Sequence, residues 1–81
     1  MSNEELRRQA HELDVTVWVG KGGIDAVVDE LKDQLQGNDL VKVKFLRAAR
    51  GGTSTEELAE ELADLTNADL FDVRGNTAVY R

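Results

Sequence analysis

Two short strand-like segments with one helical stretch between them constrain the fold of this sequence most. Val15–Val19 is β-branched or aromatic throughout, and residues 40–46 alternate between apolar and basic side chains over most of their length. Between these segments, apolar residues recur at helical spacing from Ile24 to Leu35. A strand, a crossover helix and a second strand form a right-handed parallel unit. We therefore expect a β-α-β unit at the centre of the fold.

A short helix is expected before this unit. Leu6, Ala10 and Leu13 have the spacing of one apolar helix face, which predicts a helix over residues 3–13. Ser2 is the candidate N-cap, because a serine followed three residues later by a glutamate is a capping-box pattern.

A third helix and a hairpin are expected after the unit. Residues 53–55 offer hydroxyl groups for an N-cap of this helix. The leucines of its apolar face are Leu58, Leu62 and Leu65. Residues 70–73 and 77–80 predict two strands, since the turn residues Gly75 and Asn76 between them suit a two-residue hairpin.

The resulting order, α-β-α-β-α-β-β, predicts a mixed four-stranded sheet with helices packed on it. The fold class is α/β, as one two-layer domain over residues 1–81. A chain of 81 residues has no room for a second core.

The sequence offers little catalytic chemistry. It contains no cysteine and one histidine, His11, which excludes thiolate chemistry and leaves a zinc site mainly to carboxylates. Five acids of the third helix spread around its circumference and are expected to be solvated rather than to hold a cation. They are Glu56, Glu57, Glu60, Glu61 and Asp64. We expect no enzymatic activity, no metal and no cofactor.

The net charge of −6 conceals one strongly basic segment. Residues 40–52 contain four bases and no acid, whereas residues 53–69 contain six acids and no base. The four bases are Lys42, Lys44, Arg47 and Arg50. A basic row on an acidic chain is a candidate surface for nucleic acid, although lysines on a strand are also common as solvated edge residues.

The loop Gly20-Lys21-Gly22-Gly23 lies between the first strand and the second helix, where a helix N-terminus favours an anion. It is not a Walker A loop, since no Ser or Thr follows Lys21, and Asp25 stands where a dinucleotide fingerprint needs glycine. It does satisfy G-x-x-G, with which KH-type modules clamp a sugar–phosphate backbone. A plain strand-to-helix turn is the alternative, since such turns often need glycine.

These motifs, in this order, resemble the CRM domain (chloroplast RNA splicing and ribosome maturation) and, more narrowly, the stand-alone YhbY-like RNA-binding proteins of prokaryotes. The resemblance runs from Leu6 to Tyr80 and includes the glycine loop, the Val-Lys-Val-Lys strand and the closing Gly-Asn turn. It implies a fold similar to the C-terminal domain of translation initiation factor three. It also implies RNA as the partner, with ribosomal RNA in large-subunit assembly as the expected target.

The resemblance assigns the RNA contacts to the loop and the basic strand. The residues carried over are Gly20, Lys21, Gly22, Gly23, Lys42 and Lys44. Their position in the basic segment adds Arg47 and Arg50, and Arg7 and Arg8 of the first helix are weaker candidates.

Trp18 lies on the strand face opposite Val17 and Val19. We expect a helix to cover it, with stacking on a nucleic-acid base as the alternative.

The acidic charge leaves a second function open. An acidic module could dock a basic ribosomal protein through the glutamates of the third helix, and the glycine loop would then be only a turn. The resembling proteins are typically more basic than this chain, and an acid-rich surface with four lysines suits a cytoplasm of very high salt. Since the first residues are acidic and no apolar run is long enough for a membrane span, we expect a cytoplasmic monomer with no membrane contact.

Overall fold

A computed structural model describes residues 3–81 of the chain. Its helices and strands follow the predicted order, with two short 3-10 helices in addition. They are α1 (Asn3–Glu12), β1 (Val15–Val19), α2 (Val28–Gly37), β2 (Val41–Phe45), α3 (Thr55–Thr66), β3 (Leu70–Arg74) and β4 (Thr77–Tyr80). The predicted N-cap Ser2 lies outside the described residues.

The four strands form one mixed sheet in the order β1-β2-β4-β3. β1 and β2 are parallel, whereas β4 is antiparallel to both β2 and β3. The two residues Gly75 and Asn76 join β3 to β4, as predicted, with Gly75 at a φ of 53°. The α/β class and the mixed four-stranded sheet are therefore confirmed.

The main core lies between one face of the sheet and the helices α2 and α3. Alternate strand residues point into it, and the largest fully buried side chains are Tyr80, Phe45, Leu31, Leu62, Val17, Val19 and Val43. The Tyr80 hydroxyl donates a hydrogen bond of 2.8 Å to the carbonyl oxygen of Ala59 in α3. This bond ties the last strand to a buried turn of the third helix.

The other face of the sheet is covered only in part. Ala10 of α1 packs with Leu40 and Val79 in a small second cluster, to which Leu6, Leu13 and Phe71 add partly buried surface. Because α1 is a single helix about 10 Å across and the four-stranded sheet is roughly 19 Å wide, a part of this face stays open.

The second helix begins later than the sequence predicts. Residues Ile24–Val27 form a 3-10 helix, and α2 starts only at Val28. Val27, at a φ of −112° and a ψ of 4°, separates the two helical segments. Burial of Ile24 and Val27 against the core explains why the periodicity starts before the α-helix does.

The N-cap predicted for the third helix is confirmed, but one residue of its predicted apolar face is exposed. The Ser54 hydroxyl accepts a hydrogen bond of 3.2 Å from the backbone N–H of Glu57. Leu65, predicted to be buried, is 46% exposed, whereas the adjacent Thr66 is buried and donates to the carbonyl oxygen of Leu62. Among residues 3–81 no helix is long and apolar enough to cross a membrane.

Tyr80→Phe tests the contribution of the buried hydroxyl. Burial raises the pKa of the Tyr80 hydroxyl above its ordinary value of about 10. The folded protein therefore holds this proton more tightly than the unfolded chain, and its stability falls as pH rises above about 10, by up to about 1.4 kcal/mol per pH unit.

At neutral pH we expect Tyr80→Phe to lower the free energy of unfolding by about 1 kcal/mol, because a buried hydrogen bond is lost. Above pH 10 the difference should shrink and then reverse, because the variant has no phenol to ionise. Urea unfolding at a series of pH values measures both effects, and tyrosinate absorbance reports the only tyrosine. A difference between the two proteins that stays constant across pH 10 would contradict this account.

Candidate nucleic-acid interface

The parallel pairing of β1 and β2 brings three connecting segments to one edge of the sheet. Both strands end there, so the glycine loop after β1 lies beside residues 46–52 after β2, and the backbone N–H of Leu46 donates to the carbonyl oxygen of Val19 at 2.8 Å. The hairpin turn joins them, since the N–H of Phe45 donates to the carbonyl oxygen of Asn76 at 2.7 Å. We call this edge the loop end of the sheet.

The glycine loop is a tight turn at the loop end. A hydrogen bond of 3.0 Å from the N–H of Gly23 to the carbonyl oxygen of Gly20 closes it, which leaves Lys21 and Gly22 exposed at its tip. Gly23 has a φ of 77° and a ψ of −178°, a backbone conformation that is essentially restricted to glycine. The turn itself therefore requires Gly23, whereas Lys21 places a positive charge where solvent reaches it.

The sequence predicted that the loop leads directly into an α-helix, and the structure differs. The segment after it is the four-residue 3-10 helix Ile24–Val27, so the dipole of α2 begins only at Val28. The α-helix that was expected directly after the loop therefore begins four residues later. Any attraction of an anion there depends on Lys21, on nearby bases and on the exposed backbone of the tip.

The two lysines of β2 have different surroundings. Lys44 is exposed, and no hydrogen bond or ion pair engages its ammonium group among residues 3–81. Lys42 is half-buried beside α1, and its Nζ donates to the carbonyl oxygen of Ala10 at 3.5 Å. Lys44 is therefore free to contact a phosphate, whereas Lys42 also helps to hold α1 on the sheet.

The two arginines after β2 differ in the same way. Arg47 is exposed at the start of the 3-10 helix Arg47–Ala49. Arg50 is partly buried and donates from Nε to the carbonyl oxygen of Phe45 at 3.1 Å. Arg50 thus fixes the chain where it leaves β2, and Lys21, Lys44 and Arg47 are the predicted RNA contacts that are exposed bases.

Three residues outside the predicted set of RNA contacts lie in one row with Lys44. Trp18 is the β1 neighbour of Lys44, Thr77 is its β4 neighbour, and Arg74 of β3 pairs with Thr77. All four side chains lie on the face opposite the main core, and we call them the open row. Trp18 is 53% exposed, so the expectation that a helix covers it is wrong. Arg74 could have been found from the Gly75-Asn76 turn, which sets its register opposite Thr77.

Among residues 3–81, most of the bases around the loop end are not paired with an acid. Within the described part of the chain the only ion pair joins Arg74 Nε to Asp72 Oδ2 at 3.7 Å. The exposed acids of α2 and α3 belong to helices that pack on the sheet face opposite the open row; they are Asp29, Glu30, Asp33, Glu56, Glu57, Glu60, Glu61 and Asp64. The basic loop end is therefore not neutralised by pairing with the acids that give the chain its net charge.

A small cavity of about 50 Å³ lies beside the open row, between α1 and the sheet. His11, Lys42 and Arg74 contribute to its walls. His11 is exposed on α1, as expected. Within residues 3–81 no three His, Asp or Glu side chains gather as a metal site.

Residues 2–81 match the sequence profile of the CRS1/YhbY (CRM) domain. The chain belongs to the CRM family. The CRM family consists of RNA-binding domains and not of enzymes, in agreement with the prediction of a binding module. The suggested resemblance is thereby confirmed over nearly the whole chain.

Two CRM relatives and one solved structure are similar to this chain. A probable RNA-binding protein of Methanocaldococcus jannaschii is 41% identical over 71 residues, which cover 88% of this chain and 53% of the relative. The probable RNA-binding protein YqeI of Bacillus subtilis is 32% identical over 75 residues, covering 91% and 76%. The chain thus spans about half the length of the first relative and about three quarters of the second.

The solution structure of a Staphylococcus aureus protein, described as a candidate RNA-binding protein, has a TM-score of 0.76 to this chain. The two are 32% identical, and the match covers 96% of this chain and 80% of the other. The CRM fold described above is therefore shared with a protein whose structure is known from experiment.

Gly23→Ala tests whether the loop's last glycine is required by the turn. A Cβ at this position has open space around it, so a loss of stability would come from the backbone conformation and not from a clash. We expect the free energy of unfolding to fall by about 1–3 kcal/mol.

Gly51→Ala is the matched control, because a Cβ there also meets nothing within 4 Å and its φ is not positive. This control should stay within about 1 kcal/mol of the parent protein. Urea unfolding of both variants decides the matter, and equal stability of the two would show that the conformation of Gly23 carries no strain for alanine.

Proposed function

We propose that this chain binds RNA through the loop end of its sheet, and that its target is ribosomal RNA during large-subunit assembly. The observation that carries the proposal is the meeting of an exposed glycine turn, which includes Lys21, with Lys44 and Arg47 at one edge of the sheet. Membership of the CRM family supports RNA as the ligand, and two relatives are named as probable RNA-binding proteins. Ribosomal RNA is the target that the stand-alone YhbY-like proteins suggest.

The chemistry of the site favours contacts to the sugar–phosphate backbone. Lys21 and the exposed peptide groups of the turn offer donors to one phosphate, while Lys44 and Arg47 offer charge to its neighbours. Such contacts position an RNA without reading its sequence. We propose that the protein recognises the shape of an RNA element more than a base sequence.

The remaining predicted RNA contacts have structural roles as well as a role in binding. Gly20 and Gly23 shape the turn by their mutual hydrogen bond, and Gly22 lets the RNA approach its tip. Lys42 and Arg50 hold backbone carbonyl groups and add positive potential at short range. Their loss should therefore affect the fold as well as the RNA affinity. The protein acts as a cytoplasmic monomer and needs no cofactor for this function.

Replacement of exposed bases tests the RNA proposal. We expect Lys44→Ala/Arg47→Ala to weaken binding to large-subunit ribosomal RNA fragments by roughly tenfold or more at low salt, because two phosphate contacts are lost. The dependence of log K on log salt should become shallower by about 1 for each lost contact. Fluorescence anisotropy from low to molar salt measures both quantities.

Lys32→Ala is the matched control for Lys44→Ala alone, since each removes one exposed lysine and Lys32 lies on α2 in the other layer. It should bind like the parent protein. If both variants lost the same affinity, binding would follow net charge and not the loop end. If neither lost affinity while Glu60→Gln/Glu61→Gln abolished capture of basic ribosomal proteins, the acidic docking function would replace the proposed one.

The acidic helical layer supports a second, narrower proposal, that the protein works at high salt. Like charges recur four residues apart on α3, in the pairs Glu56–Glu60 and Glu57–Glu61, where they repel each other on one helix surface. At about 1 M salt the screening length falls to about 3 Å, so this repulsion nearly disappears.

We expect the thermal midpoint of unfolding to rise by several degrees between about 0.1 and 1 M KCl, as the repulsion is screened. Glu60→Gln/Glu61→Gln should be more stable than the parent protein at low salt and should gain less from KCl. Differential scanning calorimetry at a series of KCl concentrations measures the midpoints. A parent protein that is most stable at low salt would refute the high-salt proposal.

A further inference from the structure

Trp18 is a large aromatic side chain left uncovered in the middle of a strand. Its neighbours in β1, Val17 and Val19, are fully buried on the other face, and Trp18 itself is 53% exposed. Exposed apolar area of this kind is unfavourable in water by about 25 cal/mol for each Å². The exposed indole of Trp18 carries this unfavourable free energy, and it lies on the sheet face where only α1 packs.

The surroundings of Trp18 explain why no part of the fold covers it. The cluster that α1 makes with the sheet is centred on Ala10, Leu40 and Val79, and Trp18 takes no part in it. Lys42, whose Nζ reaches the Ala10 carbonyl oxygen, pairs with Val79 of that cluster and lies two residues before Lys44. Trp18 therefore lies in the same row as Lys44, close to where β1 enters the glycine loop.

The charges beside Trp18 indicate what kind of ligand would cover it. Lys44, its direct neighbour on β2, carries an unpaired ammonium group within the described residues. Arg74, further along the open row, has a side chain 66% exposed and one loose contact to Asp72 at 3.7 Å. A flat apolar surface beside exposed positive charges matches a nucleotide, which has a flat base and a negative phosphate. To cover the same surface, a protein segment would need an apolar side chain and an acidic side chain at the spacing of Trp18 and Lys44.

We propose that Trp18 stacks on an unpaired base of the bound RNA while Lys44 contacts the phosphate of that nucleotide. This inference rests on the proposed RNA binding and adds to it the class of RNA element, a strand or loop with at least one unstacked base. Bases inside a duplex have no free face on which the indole can stack. Phosphate contacts at the glycine turn alone would not distinguish single-stranded from double-stranded RNA. Stacking on Trp18 gives the protein its preference for single-stranded over double-stranded RNA.

The indole fluorescence of the protein reports this contact directly, because Trp18 is the only tryptophan. We expect an unstructured oligouridine to quench its emission on binding, and a fully paired RNA duplex of the same length to quench it far less. Quenching by the duplex as strong as by the oligouridine, at equal saturation, would overturn the stacking proposal.

Trp18→Leu and Trp18→Phe separate stacking from electrostatic binding. Stacking on an aromatic side chain is worth roughly a five- to hundredfold change in affinity for each base. We expect Trp18→Leu to lose affinity for oligouridine within this range, and Trp18→Phe to keep a part of it. Neither variant should change the salt dependence, because no phosphate contact is removed. Lys44→Ala should make that dependence shallower.

The outcomes distinguish failure of this inference from failure of the proposed function. If Trp18→Leu binds oligouridine like the parent protein while Lys44→Ala/Arg47→Ala does not, RNA binding stands and stacking by Trp18 is wrong. If the parent protein binds neither single-stranded nor duplex RNA at any salt concentration, both proposals fall, and the open row becomes a candidate contact for another protein. Circular dichroism of both Trp18 variants checks that each remains folded, as expected for a substitution at a surface site.

Discussion

Because β1 and β2 pair in parallel, both strands end at the same edge of the sheet, and everything proposed here about binding depends on that geometry. The glycine loop and the segment after β2 meet at this edge although more than 20 residues separate them in sequence. The antiparallel β4 then brings the hairpin turn to the same place through the bond between Phe45 and Asn76. Three segments that form no contiguous motif thereby make one surface.

The unequal covering of the two sheet faces gives this surface its character. Two helices bury one face completely enough that Phe45, Val43 and Tyr80 have no exposed area, and they carry most of the exposed acids on their outer sides. One short helix covers the other face in part, so that Trp18 and Lys44 remain open. An acidic net charge is therefore compatible with RNA binding, because α2 and α3 with their acids pack on the sheet face opposite the open row and screening limits the repulsion at a distance.

Much of the fold could be predicted from the sequence because its signals are local. The strand Val15–Val19, the N-cap Ser54 and the Gly75-Asn76 turn each depend on a few adjacent residues, and each agrees with the structure. The start of α2 could not be read in this way, because burial of Ile24 and Val27 in a 3-10 helix gives the same apolar spacing as an α-helix. Leu65 likewise has a spacing that fits the core, but the buried face of α3 continues from Leu62 to Thr66 and leaves Leu65 exposed.

The sequence by itself determined the order of the elements, the family, the glycine turn and the basic segment, since these depend on residue type and spacing along the chain. Only the tertiary structure decided which bases are available. Lys42 and Lys44 are equivalent by alternation, yet one lies against α1 and the other faces solvent. Tertiary structure also placed Arg74 in the open row and left Trp18 uncovered. The physical reason is that exposure depends on how far a neighbouring helix reaches, and no local pattern in the strand records that distance.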